Sequence, residues 1–312
     1  MDAIAVILNA PERLALRPLR LNALGAADVL VEIHWSGVSS GTEKLLWTGR
    51  MPPFPGMGYP LVPGYESIGE IVDAGSDAAH RIGEWVFVPG AACWADARSL
   101  FGGTARRVTV AGARVVPLPR NIGRDGILLA LAATAHHALA GGAMPDLVIG
   151  HGILGRLIAR VAIAAGATPP TIWETRDTRR APDSAGVTIV HPEADPRRDY
   201  RAIYDASGDA AILDGAIARL RRGGEIVLAG FYDRPLSFDF APAFRREARL
   251  RIAAEFTPDD MAQVIALIAS GNLRLDGLVS HVRPAAEAVD AYPAAFEDPD
   301  CLKMVLDWSD CA

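Results

Sequence analysis

The sequence predicts an α/β protein in which a doubly wound parallel sheet accompanies a β-rich, barrel-like domain, and three observations carry that class. Up to about residue 120, short apolar strands alternate with glycine and proline turns. From residue 125 the texture changes to strands alternating with helices, and 312 residues exceed what one hydrophobic core ordinarily holds. The expected division is residues 1–120 with 259–312 for the β-rich domain and 121–258 for the parallel sheet.

The strands of the first part are DVLVEIHWSGV, SIGEIVDAGS, GEWVFVPGA and ARRVTVAGARVVPL, each bounded by turn residues. Between them, residues 44–60 form a proline-rich loop carrying Trp47 and Phe54. Its apolar side chains either pack on their own domain or form a wall for a substrate; sequence leaves both open. In the second part, DLVIG, PTIWE, VTIVH, YRAIYDAS, GEIVLAGF and LRIAAEF read as strands, with helices such as LGRLIARVAIAAGA and AAILDGAIARLRRG between them. An amphipathic helix is expected over 259–273, then a helix and a closing strand.

Composition narrows the function classes. A formal charge of −6 and no Lys/Arg run longer than two residues leave no basic face for a phosphate backbone, so nucleic acid is not an expected partner. The basic residues are arginines except for Lys44 and Lys303. The opening stretch MDAIAVILNAPERL reads as a first strand, too short to span a bilayer and without a leader pattern, so a cytoplasmic protein with no integral membrane segment is expected. Cys93, Cys301 and Cys311 lack paired spacing, and three cysteines cannot build a four-cysteine zinc lobe.

DLVIGHGILGRLIARVAIAAGA places Gly150, Gly152 and Gly155 in G-x-G-x-x-G spacing between a strand and a helix that Ile153 and Leu154 open. The first glycine makes the turn, the second admits a pyrophosphate to the backbone, and the third lets helix and strand pack closely. This Rossmann fingerprint predicts a bound dinucleotide, its phosphates on free N–H groups at the helix start. Glu174 ends the next strand, where a carboxylate bonds ribose hydroxyls and repels a 2′-phosphate, so NAD is expected over NADP. Arg176, Arg179 and Arg180 are the counter-signal. Ser207, in DASG at a later strand end, is expected to line the cofactor crevice.

On VLVEIHWSGVSSGTE, YPLVPGYESIGEIVDAG and the glycine fingerprint, the chain resembles the medium-chain dehydrogenase/reductase superfamily. The resemblance covers the whole length and implies a chaperonin-10-like barrel as catalytic domain, a Rossmann domain and a homodimer. Zinc members of that superfamily carry a cysteine in the first motif and P-G-H-E in the second. Here the second motif is Pro63-Gly64-Tyr65-Glu66, and either Ser39 or Ser40 stands at the cysteine position, depending on whether the motif is aligned from Gly37 or from Glu43. The third ligand position falls on Ala130 or Leu131. No metal is therefore expected. His136 and His137 do not replace it, because adjacent helical residues diverge by about 100°.

Within the superfamily, SGVSSGTEKLLW, FPGMGYPLVPGYESIGEIV, GHGILGRL and IWET are most similar to the bacteriochlorophyllide a dehydrogenase family. That likeness implies NAD-dependent oxidation of a 3-(1-hydroxyethyl) group to 3-acetyl on a tetrapyrrole in bacteriochlorophyll biosynthesis. Without zinc, the hydroxyl proton must pass to a side chain, and Tyr65, Ser39, Ser40, Thr42 and Glu66 are the candidates. Tyr65 is the first choice for the group touching the substrate oxygen, because a phenol both donates and accepts, and it would serve as a proton shuttle if its pKa were lowered; filling the space of a lost zinc site is the alternative. Thr134 matches a family threonine near the nicotinamide, and Trp47 and Phe54 are the candidate substrate wall. A zinc-independent quinone or alkene reductase and a non-catalytic nucleotide-binding scaffold are the competing functions.

Overall fold

The computed structural model describes residues 1–53, 55–180 and 186–311; Phe54, a candidate for the substrate wall, lies outside them. The chain divides into two compact units, Met1–Leu129 with Asp276–Ala312, and Ala130–Leu275.

In the first unit the long strand Asp28–Val38 is the organiser. Along one edge it pairs antiparallel with Ser67–Ala74, and its other edge is shared between Arg107–Ala111 at the start and Met304–Asp307 at the end. Trp85–Val88, Val116–Pro117 and His281–Pro284 extend this sheet. A second sheet runs Arg13–Arg20, Asp2–Ala10, Leu61–Val62, Arg98–Ser99. Val6, Ile7, Val29, Val31, Ile33, Val86, Leu306 and Trp308 are all buried in one core between them.

The second unit is built on six parallel strands in the order Thr188–Val190, Thr171–Trp173, Leu147–Ile149, Tyr200–Asp205, Leu220–Leu228, Arg249–Ile252. Numbered along the chain this is 3-2-1-4-5-6, the doubly wound order whose direction reverses between Leu147–Ile149 and Tyr200–Asp205. The α/β class expected from sequence is the one observed.

Several boundaries differ from expectation. The helix expected from residue 125 starts at Leu129; the segment before it, Arg120–Leu128, is 3₁₀ interrupted at Gly123, whose φ of 57° only glycine adopts at no cost. The helix expected over AAILDGAIARLRRG is confined to Leu213–Arg219, because Leu220 already enters the next strand. The stretch 44–60 begins inside a short helix, Thr42–Trp47, and the closing segment holds an additional strand, His281–Pro284, parallel to Met304–Asp307.

The helix Pro258–Ala269 belongs to the second unit, so the return to the first falls at Asp276 and not at 259. Its cap explains why. Thr257 and Asp260 form a reciprocal capping box, and the Asp260 carboxylate also receives His136 Nδ1 at 2.7 Å and His137 Nδ1 at 2.8 Å. These histidines tie two helices of the same unit together. Desolvation would raise the Asp260 carboxyl, but the hydrogen bonds from Thr257, and after them those from the two histidines, hold it well below the usual carboxylate range. No helix among the described residues is long and apolar enough to cross a membrane.

Candidate active site

Strand register assembles one cluster in the first unit. Ser36 lies opposite Ser67 and Val38 opposite Met304, so Ser39 follows one strand end while Glu66 and Lys303 immediately precede the two others. Three segments distant in sequence thus deliver polar side chains to one place.

Of the two candidate serines, Ser39 is buried and accepts the Tyr65 hydroxyl proton at Oγ, 2.8 Å away, whereas Ser40 is exposed. Phe101 holds the Tyr65 ring edge-on, with centroids 4.9 Å apart. Gly64 permits this turn: its φ is +98°, and an added Cβ would stand 1.9 Å from Thr104 Oγ1. Desolvation pushes the Tyr65 hydroxyl pKa far up, and the Glu66 charge adds to that, while hydrogen bonding to Ser39 and Thr42 offsets only part. The lowered pKa expected of a phenolic base is not found. A hydroxyl enclosed beside carboxylates keeps its proton.

Glu66 is fully buried and forms an ion pair with Lys303 through Oε2. Burial raises its pKa and the Lys303 ammonium opposes the rise. Gly37 makes room for the pair, since a Cβ there would come within 2.4 Å of Glu66 Oε2. Glu43 is also fully buried. Its Oε1 accepts the Ser39 backbone N–H at 3.1 Å, and its Oε2 accepts the Tyr292 hydroxyl at 2.8 Å. Burial pushes the Glu43 carboxyl up to about 7, with Tyr292 working against the shift and Glu66 reinforcing it.

Sequence inspection missed Glu43, Tyr292 and Lys303. One signal was present: Lys303 is one of only two lysines in the chain and sits in the apolar run CLKMVL. Trp47 packs within its own unit around Leu8, Leu46 and Leu61, its ring 6.4 Å from that of Phe296.

The donor set is poorly suited to zinc. Ser39 and Tyr65 are neutral hydroxyls bonded to each other, and the raised phenol pKa withholds the anionic oxygen that a metal would need. Among the described residues no group of three or more His, Cys, Asp or Glu side chains could hold a metal ion.

In the second unit the glycine fingerprint adopts the geometry a pyrophosphate requires. Gly150 has φ +95° and packs against Ser207 at the switch point, where a Cβ would lie 3.2 Å from the Ser207 nitrogen. A Cβ on Gly155 would lie 1.9 Å from the Gly150 carbonyl. The helix Ile153–Ala164 starts at Gly152 without a side-chain cap, so its first N–H groups stay available to an anion. These residues fit a dinucleotide.

Glu174 stands beside this loop in an unexpected role. Only 8% exposed, it accepts the His151 N–H at 3.0 Å and the Arg176 N–H at 2.9 Å, so both carboxylate oxygens are engaged by nearby backbone. It anchors the loop as well as charging it. Arg180 is turned inward onto the Glu174 and Thr175 carbonyls and pairs with Asp177. Ser207 is held by Asp205, which receives both its N–H at 2.9 Å and its hydroxyl at 2.6 Å, and Tyr232 bonds the other carboxylate oxygen. Thr134 donates to the Ala130 carbonyl at 2.9 Å within its helix.

Known proteins carry the same plan. Residues 25–120 match the alcohol dehydrogenase GroES-like domain family. Over 313 residues, 99% of both chains, the sequence is 56% identical to the 2-desacetyl-2-hydroxyethyl bacteriochlorophyllide A dehydrogenase of Rhodobacter capsulatus. It is 55% identical over 315 residues to the enzyme of that name from Cereibacter sphaeroides, again across 99% of each chain. An Escherichia coli alcohol dehydrogenase solved with NADH superposes with a TM-score of 0.85 at 19% identity, covering 98% of this chain and 99% of its own. A zinc-binding dehydrogenase of Sinorhizobium meliloti bound to NADP gives 0.82 at 20% identity, with 99% and 100% covered. At such identities these two structures establish the fold alone.

Proposed function

This chain belongs to the bacteriochlorophyllide a dehydrogenase family of the medium-chain dehydrogenase/reductase superfamily, and from that premise we propose that it oxidises the 3-(1-hydroxyethyl) group of a bacteriochlorophyllide to 3-acetyl, with NAD and without zinc. The observation that carries the substrate is the likeness itself, 55–56% identity along the full length of two enzymes so named. It is an oxidoreductase, and the chemistry follows from its own residues.

Bound NAD supplies the two-electron acceptor. The proton of the substrate hydroxyl passes to Tyr65 as Tyr65 gives its own to Ser39, a route supported by the hydroxyl pair at 2.8 Å. Since Tyr65 stays neutral, it acts as donor and acceptor within one relay and not as a standing base. Thr42 steadies the phenol, and Glu66, fixed by Lys303, sets the charge behind it. On a conjugated macrocycle, positive character at the reacting carbon is delocalised, which lessens the need for a Lewis acid.

NAD is favoured over NADP by the Glu174 charge at the glycine loop and by the inward turn of Arg180. A homodimer is supported by exposed apolar side chains of the second unit: Phe240 at 72% and Phe244 at 68% on the helix Phe240–Arg246, and Ile252 at 78% at the end of the edge strand Arg249–Ile252. Replacing Ile252 by aspartate should then shift sedimentation from dimer to monomer; a wild type that sediments as a monomer at micromolar concentration removes the dimer.

The decisive experiment is hydride transfer from the hydroxyethyl bacteriochlorophyllide to NAD, in the presence of a chelator. Formation of the 3-acetyl product is expected, with no stoichiometric zinc in the protein. Turnover with quinones only would indicate a reductase, cofactor binding without turnover a scaffold, and activity lost with a removed zinc ion would end the metal-free mechanism.

A further inference from the structure

The cluster in the first unit contains one more buried carboxyl than buried cations. Glu43 and Glu66 are both wholly enclosed, and Lys303 is the cation that accompanies them. Lys303 is committed to Glu66 Oε2. Glu43 instead faces two neutral donors, the Ser39 N–H and the Tyr292 hydroxyl. A buried carboxylate compensated only by neutral hydrogen bonds takes up a proton more readily than its paired neighbour. Ser39 joins this carboxyl to the hydroxyl pair, accepting Tyr65 at Oγ and donating to Glu43 from its backbone nitrogen.

We propose that Glu43 is the proton store of this pocket, receiving through Ser39 and Tyr65 the proton that leaves the substrate hydroxyl. This rests on the alcohol oxidation proposed above. The balance closes with the groups named. The carbon–hydrogen pair of electrons leaves as hydride to NAD, and the hydroxyl proton goes to the Tyr65 oxygen. The Tyr65 proton moves to Ser39 Oγ, and the Ser39 hydroxyl proton, turned about the Cβ–Oγ bond, passes to the Glu43 carboxylate, whose Oε1 already accepts the same residue's backbone N–H at 3.1 Å. A carbonyl and a neutral Glu43 remain. Glu43 does not touch substrate; it acts through Ser39.

The groups facing Glu43 set its titration: Glu66 and Tyr65 from the turn before Ser67, Lys303 from the segment before the last strand, and Tyr292 from the helix Ala288–Glu297. Because the carboxylate form is the acceptor, oxidation should quicken as pH rises through about 7.

The test combines two readouts on the full-length chain. Infrared titration without cofactor should show the C=O stretch of a protonated carboxyl vanishing as pH rises through that range, and Glu43→Gln should lack this band. In turnover, Glu43→Gln should lose the rising limb of kcat and fall at least about tenfold, with KM for NAD unchanged. Tyr292→Phe removes a donor that favours the charged form, and should move both the band and the limb upward by about one pH unit.

A Glu43→Gln enzyme that keeps the limb, or a band that survives the substitution, overturns the proposal. If Glu43→Gln does not fold, an unmoved limb in Tyr292→Phe does the same. Tyr65→Phe separates the two claims. Full turnover in that variant defeats the hydroxyl relay, while the band still reports whether Glu43 holds the proton.

Discussion

Lys303 and Glu66 stand 237 residues apart in sequence and close an ion pair in which the two side chains are 1% and 0% exposed. Removing one partner strands the other charge away from water. Lys303→Met should cost about 3–5 kcal/mol of stability in denaturant unfolding, whereas Lys303→Met with Glu66→Gln should recover most of it. A single variant as stable as the wild type would show that Glu66 is neutral when buried.

The hydroxyl pair makes a kinetic prediction. Tyr65→Phe keeps the ring against Phe101 and removes only the oxygen, so kcat should fall by about 10²-fold with little change in KM for the tetrapyrrole. Undiminished kcat, where chemistry limits turnover, would reassign the proton to Thr42 or Glu66.

At the glycine loop, Glu174→Ala deletes two hydrogen bonds to backbone nitrogens along with a negative charge. NADH binding should weaken by roughly 1–3 kcal/mol and the preference against NADPH should relax, as read from cofactor fluorescence titration. Equal affinity of the wild type for both cofactors would refute the assigned selectivity.

Glu43 also predicts a pH dependence of stability. Its folded pKa, about 7, lies above the ordinary 4.5, so between those values the folded chain binds more protons than the unfolded one. The carboxyl is neutral in both states below that window and ionised in both above it. Stability relative to Glu43→Gln should therefore fall as pH rises from about 4.5 to 7, measured as a difference in melting temperature. A difference that stays flat, or grows, contradicts the assignment.

Much of this was legible in the residues themselves. The alternation of DLVIG, PTIWE, VTIVH and YRAIYDAS foretold the parallel sheet because β-branched runs between helices have few other homes, and Gly150, Gly152 and Gly155 located its switch point. Tyr65, and the pair Ser39 and Ser40, emerged by contrast with a motif. Hidden from sequence was everything that depends on register between distant strands: which serine turns inward, that Glu43 faces Tyr292, and that Lys303 lies beside Glu66. Glu174 shows the opposite case. Its position was evident, but the backbone N–H groups of His151 in the glycine loop and of Arg176 two residues on claimed both oxygens, and no side-chain pattern reports on free N–H groups.

The unit holding this ion pair is interrupted, since Ala130–Leu275 is inserted between its two parts. On the ribosome, the strand Asp28–Val38 emerges early but must wait for the strand Met304–Asp307 to complete its edge. Until then Glu66 has no ammonium beside it. A nascent chain that stops before Lys303 is left with a carboxylate that its own core rejects, and such truncated products would be held open to proteases while finished chains close.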